Sequence, residues 1–264
     1  MDKIVRKKNV WIVGASSGIG EALAKEMDRP EYRLILSARR AKELEKVASG
    51  LKTEAVCLPM DVLQFEGHAQ LVEEIGSKWG DVDILIYVAG KGQRTAFMET
   101  GAKDFQLLMD INFNAFVSVV RQVVPGMISR KSGAVVAVNS IQGKIAIPSR
   151  TAYVASKHAL LGFMNSLRLE LHACGIHVLS VLPAYVRTEF SLRALKKAEE
   201  VCQGIDPNHL KGVTPQTVAK KTFRALRKGS LEIHPGRFSQ VAGVYLHKIL
   251  PYKIFYWILR KKFR

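Results

Sequence analysis

Apolar runs recur along the chain near residues 10–15, 32–38, 55–60, 83–88, 133–139, 177–183 and 230–234, each short enough to be one strand. They are nearly continuous rather than alternating, as expected for strands covered on both faces. Helical patterns such as Glu21-Ala-Leu-Ala-Lys-Glu-Met27 fill the gaps between them. This order predicts an α/β fold, a doubly wound parallel sheet of about seven strands with helices on both faces. No internal repeat, low-complexity stretch or long linker marks a second core. Residues 1–236 are therefore expected to form one domain, with 237–264 as an apolar and basic extension of it.

The first strand runs straight into glycines: Val10-Trp-Ile-Val-Gly14-Ala-Ser16-Ser17-Gly18-Ile19-Gly20. Glycines permit a tight strand-to-helix turn and let the backbone approach a pyrophosphate. The amides and dipole of the following helix then favour the phosphate charge. A nucleotide site is expected here. Farther along, Tyr153 and Lys157 stand four residues apart on an expected helix, which puts both on one face. A free tyrosine has a pKa of about 10 and is a poor proton donor or acceptor at neutral pH. A fixed positive charge beside it favours the phenolate and draws that value toward the working range.

Together these motifs resemble the short-chain dehydrogenase/reductase family, in its compact single-domain, Rossmann-like form, over roughly residues 8 to 236. Ser140, at the end of Gly133-Ala-Val-Val-Ala-Val-Asn-Ser140, falls where the family places its catalytic serine. Asn112, in Met109-Asp-Ile-Asn112, matches the family's catalytic asparagine. The resemblance thus implies a catalytic tetrad of Asn112, Ser140, Tyr153 and Lys157. It implies cofactor contacts from Gly14, Ser16, Ser17, Gly18, Ile19 and Gly20, from Asp61 and Val62 at the adenine ring, and from Ala89 and Gly90. Tyr153, Lys157, Pro183, Val186 and Thr188 would complete the set, Thr188 at the nicotinamide carboxamide. Two departures stand out: Tyr87-Val88-Ala89-Gly90 replaces the family's Asn-Asn-Ala-Gly, and Pro183-Ala184 replaces Pro-Gly.

Charge bears on the choice of cofactor. The second strand ends at Ala38, where NAD-preferring members carry an acidic residue, and Arg39-Arg40 follow. A ribose 2′-phosphate is repelled by a carboxylate and held by a guanidinium through charge-assisted hydrogen bonds. The expected cofactor is NADP(H). By resemblance, the reaction interconverts a ketone or aldehyde with an alcohol, Tyr153 acting as general acid or base, Ser140 bonding the substrate oxygen, and Asn112 holding a water in a relay to Lys157. A reductase of small polar carbonyls and a non-catalytic NADPH-binding module are the alternatives.

Composition is ordinary at 48% apolar, but the net charge is +17 over 264 residues. From Ile233 to Arg264 there is no Asp or Glu, and Arg237, Lys248, Lys253, Arg260, Lys261, Lys262 and Arg264 are interleaved with aromatic and aliphatic residues. Pro251 and the lysines interrupt the apolar stretch, against a span of about 20 residues. Such a segment fits either a membrane interface or an arm packed over the substrate pocket or a partner subunit. A membrane-touching enzyme would suit a lipid-like carbonyl, with Leu192, Leu195, Val201 and Leu210 as a candidate apolar lid. No nucleic-acid motif accompanies the charge, and no HExxH or Cys-His spacing predicts a metal site. Cys57, Cys174 and Cys202 are too few and too scattered for a disulfide framework, and residues 1–9 are charged rather than a secretory leader. The expected location is cytoplasmic, with peripheral contact at the cytoplasmic membrane face. The expected assembly is a homodimer or homotetramer, with Phe113, Phe116, Val117, Leu160, Leu161 and Phe163 as candidate interface residues.

Overall fold

Seven strands form one parallel sheet in the computed structural model, which describes residues 6–192, 194 and 210–262. The strands are β1 (Lys8–Val13), β2 (Tyr32–Ser37), β3 (Ala55–Cys57), β4 (Ile84–Tyr87), β5 (Gly133–Val138), β6 (Ile176–Val181) and β7 (Glu232–Ile233). Their order is β3-β2-β1-β4-β5-β6-β7. The chain leaves β1 toward one edge and returns at β4 toward the other, so a crevice opens where the order reverses, beyond the carboxyl ends of β1 and β4. Helices α1 (Gly18–Glu26), α2 (Ala41–Ser49), α3 (Gly67–Trp79), α4 (Ala102–Met109), α5 (Ala115–Ser129), α6 (Thr151–His172) and α7 (Pro215–Arg227) cross between strands or cover the sheet. Helices α8 (Phe238–Ile249) and α9 (Tyr252–Lys262) close the described chain.

Successive side chains of β1 go to opposite faces, as strand geometry requires. Trp11 and Val13 join Ile75, Leu85, Phe116, Val135 and Leu160 in one core; Val10 and Ile12 join Leu23, Leu34, Ile84, Val136 and Phe223 in the other. The Trp11 indole N–H donates to the buried Ser37 hydroxyl at 2.9 Å, satisfying the polar end of the largest core side chain. Helical backbone runs without a break from Ala102 to Ser129, 28 residues, long and apolar enough to cross a bilayer by composition. Its apolar residues Leu108, Ile111, Phe116, Val119 and Val123 are buried in the fold, so it serves here as a core helix. Phe116, Leu160 and Leu161 are likewise buried within the monomer and are not free to form a dimer face. Phe113, Val117 and Phe163 remain half-buried.

A third, smaller apolar cluster ties the C-terminal helices down. Val241 and Val244 of α8 and Phe255 of α9 pack with Ile141, Ile145, Leu161 and Leu182. The two helices are separated at Leu250–Pro251, since proline cannot continue the hydrogen-bond ladder.

Candidate active site

A cleft of about 1290 Å³ lies along the carboxyl ends of the strands. Its nucleotide end is shaped by glycine. Gly14 adopts φ +97°, and a Cβ there would lie 2.7 Å from the Ala89 nitrogen. Gly18, at φ +60°, would bring a Cβ to 3.2 Å from Thr188 Cγ2. Gly20 does not border the cleft; a Cβ there would lie 2.1 Å from the Gly14 carbonyl oxygen, so it lets α1 pack against its own entry turn. Ser16, Ser17, Gly18 and Ile19 face the cleft at the start of α1. Arg40 donates to the Ser16 and Ser17 hydroxyls at 2.9 and 2.8 Å, and Arg39 stands exposed at the same rim. Asp61 and Val62 line the adjoining wall, and the Asp61 carboxylate accepts from the Leu63 amide at 3.1 Å. Ala89, Gly90, Pro183, Val186 and Thr188 line the middle. Left-handed glycines, a helix N-terminus and paired arginines form a cradle that fits a dinucleotide.

The chemical end is built where β5 and α6 meet. Ser140 lies two residues past the end of β5, at the start of a short turn, and its hydroxyl accepts from the Gln142 amide at 3.1 Å. Tyr153 and Lys157 share the inner face of α6 and are 5% and 3% exposed. The Lys157 Nζ lies 5.7 Å from the centre of the Tyr153 ring. Burial is the largest influence on the Tyr153 phenol and raises its pKa; the hydrogen bond with Ser140 and the Arg150 charge act the other way without overcoming it. The spacing of Tyr153 and Lys157 predicts that opposing role for Lys157; the Ser140 hydroxyl and Arg150 fill it. Lys157 is itself desolvated, and burial pushes its ammonium down to about 8.

Asn112 does not border the cleft. It sits 1% exposed in a π-helical turn, Asp110–Asn114, that joins α4 to α5. Its side chain accepts from the Lys91 amide at 2.8 Å and donates to the Lys91 carbonyl and the Ser156 hydroxyl, both at 3.0 Å. Gly90 stands in front of it: a Cβ there would lie 3.1 Å from Asn112 Oδ1, a tight contact, and 3.7 Å from Lys157 Nζ. Tyr87, which stands in place of an asparagine, sends its hydroxyl to the Ile111 carbonyl at 3.2 Å and its ring edge-on to Phe116. The substitution thus braces the same π turn from the sheet side.

Sequence reasoning missed three residues. Gln93, fully buried, accepts from the Tyr153 amide at 3.1 Å and donates to Thr95 and Thr100. Asn139 donates to the Lys157 carbonyl at 3.1 Å, fastening α6 to the end of β5. Arg150, immediately before α6, lines the cleft. Of the candidate lid, Leu192 and Leu210 are exposed and do not border the cleft, while Leu195 and Val201 lie outside the described residues, as does Cys202. Phe190 takes the place instead, its ring 6.2 Å from that of Tyr153. Beyond it Ile141, Ile145, Ile147 and, from α9, Leu259 give the cleft an apolar stretch, with Gln142, Arg150 and, on α8, Ser239, Gln240 and Gly243 lining it beside them.

The family model for short chain dehydrogenases matches residues 8–199. A "Dehydrogenase/reductase SDR family protein 7-like" of Drosophila melanogaster is 34% identical over 262 residues, 97% of this chain and 80% of that protein. The Homo sapiens "Dehydrogenase/reductase SDR family member 7" is 39% identical over 207 residues, 75% of this chain and 60% of that protein. Among solved structures, a short-chain dehydrogenase from Streptomyces avermitilis superposes with a TM-score of 0.79 at 26% identity, covering 92% of each chain. One from Sphingobium yanoikuyae in complex with NADPH gives 0.77 at 28%, covering 86% of this chain and 87% of that one. The chain belongs to the short-chain dehydrogenase/reductase family and is an oxidoreductase acting on CH–OH and C=O groups.

Proposed function

We propose that this protein is an NADPH-dependent reductase of a hydrophobic, lipid-like ketone or aldehyde. The observation that carries the reading is one continuous cleft, with Arg39 and Arg40 at its nucleotide end, Ser140, Tyr153 and Lys157 at its centre, and an apolar stretch of Ile141, Ile145, Ile147, Phe190 and Leu259 beyond. NADPH, when bound, supplies the hydride to the carbonyl carbon. Tyr153, kept protonated at neutral pH by burial, gives its proton to the carbonyl oxygen. Ser140 donates to the same oxygen and disperses the charge that develops there. Lys157, its ammonium held at about 8 and so still charged at neutral pH, would hold the ribose hydroxyls and stabilise the phenolate that Tyr153 becomes. Asn112 and Gly90 keep the backbone at Lys91 in place behind them. Arg39 and Arg40 select the 2′-phosphate. The aliphatic and aromatic wall favours a long apolar chain, since each buried CH₂ contributes about 0.8 kcal/mol.

The test is NADPH oxidation by the purified chain in mild detergent, with carbonyls of increasing chain length and NADH in parallel. Specificity that rises with chain length and favours NADPH supports the reading. Turnover confined to short polar ketones would replace it with the small-carbonyl reading.

A further inference from the structure

The tail has two faces. The inner one completes the cleft wall through Gly243 and Leu259 and is anchored by Val241, Val244 and Phe255. The outer one is left uncovered. Half of the exposed large apolar side chains among the described residues fall within 238–258. Phe238 is 81% exposed, Ile249 75%, Tyr252 67% and Trp257 56%, with Tyr245 and Ile254 beside them in sequence. Lys248, Lys253, Arg260 and Lys261 are exposed on the same helices, and Lys261 Nζ lies 4.1 Å from the centre of the Trp257 ring. No Asp or Glu occurs from Ile233 to Arg264.

Large apolar side chains left exposed at this density on two consecutive helices, with cations between them, mark a docking surface. Its charge decides the occupant. A second copy meeting this face symmetrically would set lysine against lysine, with no carboxylate on either helix to compensate. An anionic lipid surface is complementary to the cations, and tryptophan and tyrosine suit the headgroup level. At 12 and 11 residues, α8 and α9 are about 18 and 16 Å long, short of a hydrocarbon core of about 30 Å, so they can lie in the interface but not cross it. We propose that the outer face of α8 and α9 docks the protein on an anionic bilayer, which places the helices forming the cleft wall between the active site and the lipid.

The test is co-sedimentation of the full chain with vesicles of phosphatidylcholine alone or with about one-third phosphatidylserine, at about 150 mM salt. Ile249→Glu/Trp257→Glu removes apolar docking, and Lys253→Glu/Lys261→Glu removes charge; none of these residues borders the cleft. Thermal unfolding followed by circular dichroism verifies that both variants fold. The expected result is binding to the anionic vesicles alone, reduced about tenfold or more in each variant. Three results overturn the proposal: no sedimentation of the wild type, equal sedimentation of the variants, or concentration-dependent self-association that the variants abolish without any vesicle binding.

Discussion

Replacing Gln93 by methionine removes a single long-range cap from the helix that carries the catalytic pair. Tyr153 is the third residue of α6, so its amide has no carbonyl partner within the helix. Arg150, at the N-cap position, makes no side-chain cap, and Gln93, 60 residues earlier, supplies the acceptor instead. Methionine keeps the length and bulk, so little cavity cost enters. The Tyr153 N–H would be left buried and unpaired, which costs about 1–3 kcal/mol. Thr95 and Thr100 would keep their 3.0 Å contact, and Thr100 its bond to the Ala96 carbonyl, so no second orphan forms there. A loss of about 2 kcal/mol corresponds to a fall in Tm of roughly 4–8 °C for a chain of this size. The first turn of α6 also sets the position of the phenol, so kcat should fall while the affinity for the nicotinamide cofactor holds. Circular dichroism melting and steady-state turnover give both numbers. An unchanged Tm with unchanged kcat would show that Gln93 neither caps the helix nor positions Tyr153.

Other substitutions test the rest of the site. Gly14→Ala forces a side chain into a left-handed backbone with the Ala89 nitrogen 2.7 Å away; a cost above about 2 kcal/mol in urea unfolding is expected, together with weakened cofactor binding. Arg39→Ala should raise the NADPH dissociation constant about tenfold and leave that of NADH nearly unchanged, whereas Arg40→Ala, which also frees the Ser16 and Ser17 hydroxyls, should weaken both, as read by fluorescence titration. Burial alone would raise the Glu232 carboxyl, but His234 and the Lys144 ion pair outweigh it and hold it down at about 2. A depressed carboxyl stabilises the fold above its unfolded value near 4.5, and that contribution is lost as pH falls toward 2. The stability gap between wild type and Glu232→Gln, measured by urea unfolding, should therefore be larger at about pH 5 than at about pH 3.

The sheet was legible because buried parallel strands are continuous apolar runs, and all seven lie where those runs do. Their lengths were not: the run at 55–60 yields only Ala55–Cys57 and that at 230–234 only Glu232–Ile233, since a strand extends only as far as its neighbour pairs with it. The glycine turn and the Tyr153–Lys157 spacing are local signals, and the cleft brings both to one surface. The braces are invisible for the opposite reason. Gln93 to Tyr153, Tyr87 to Ile111 and Asn139 to Lys157 join residues 18 to 60 positions apart, and no periodicity encodes such pairs. The tail shows a third case. Its apolar and basic composition left cleft packing and a membrane surface as rivals, while Val244 and Phe255 pack inward and Ile249 and Trp257 stay exposed on the same two helices.

Comparison of wild type with Tyr153→Phe tests the central claim most directly. NADPH binding is followed by fluorescence, and hydride transfer to a long-chain carbonyl by the loss of NADPH absorbance. Phenylalanine keeps the ring and its contact with Phe190 and removes only the proton donor. The account predicts an unchanged NADPH dissociation constant and turnover lowered by about 10²-fold or more. Turnover near that of the wild type would contradict it, because the proton would then come from a group other than Tyr153.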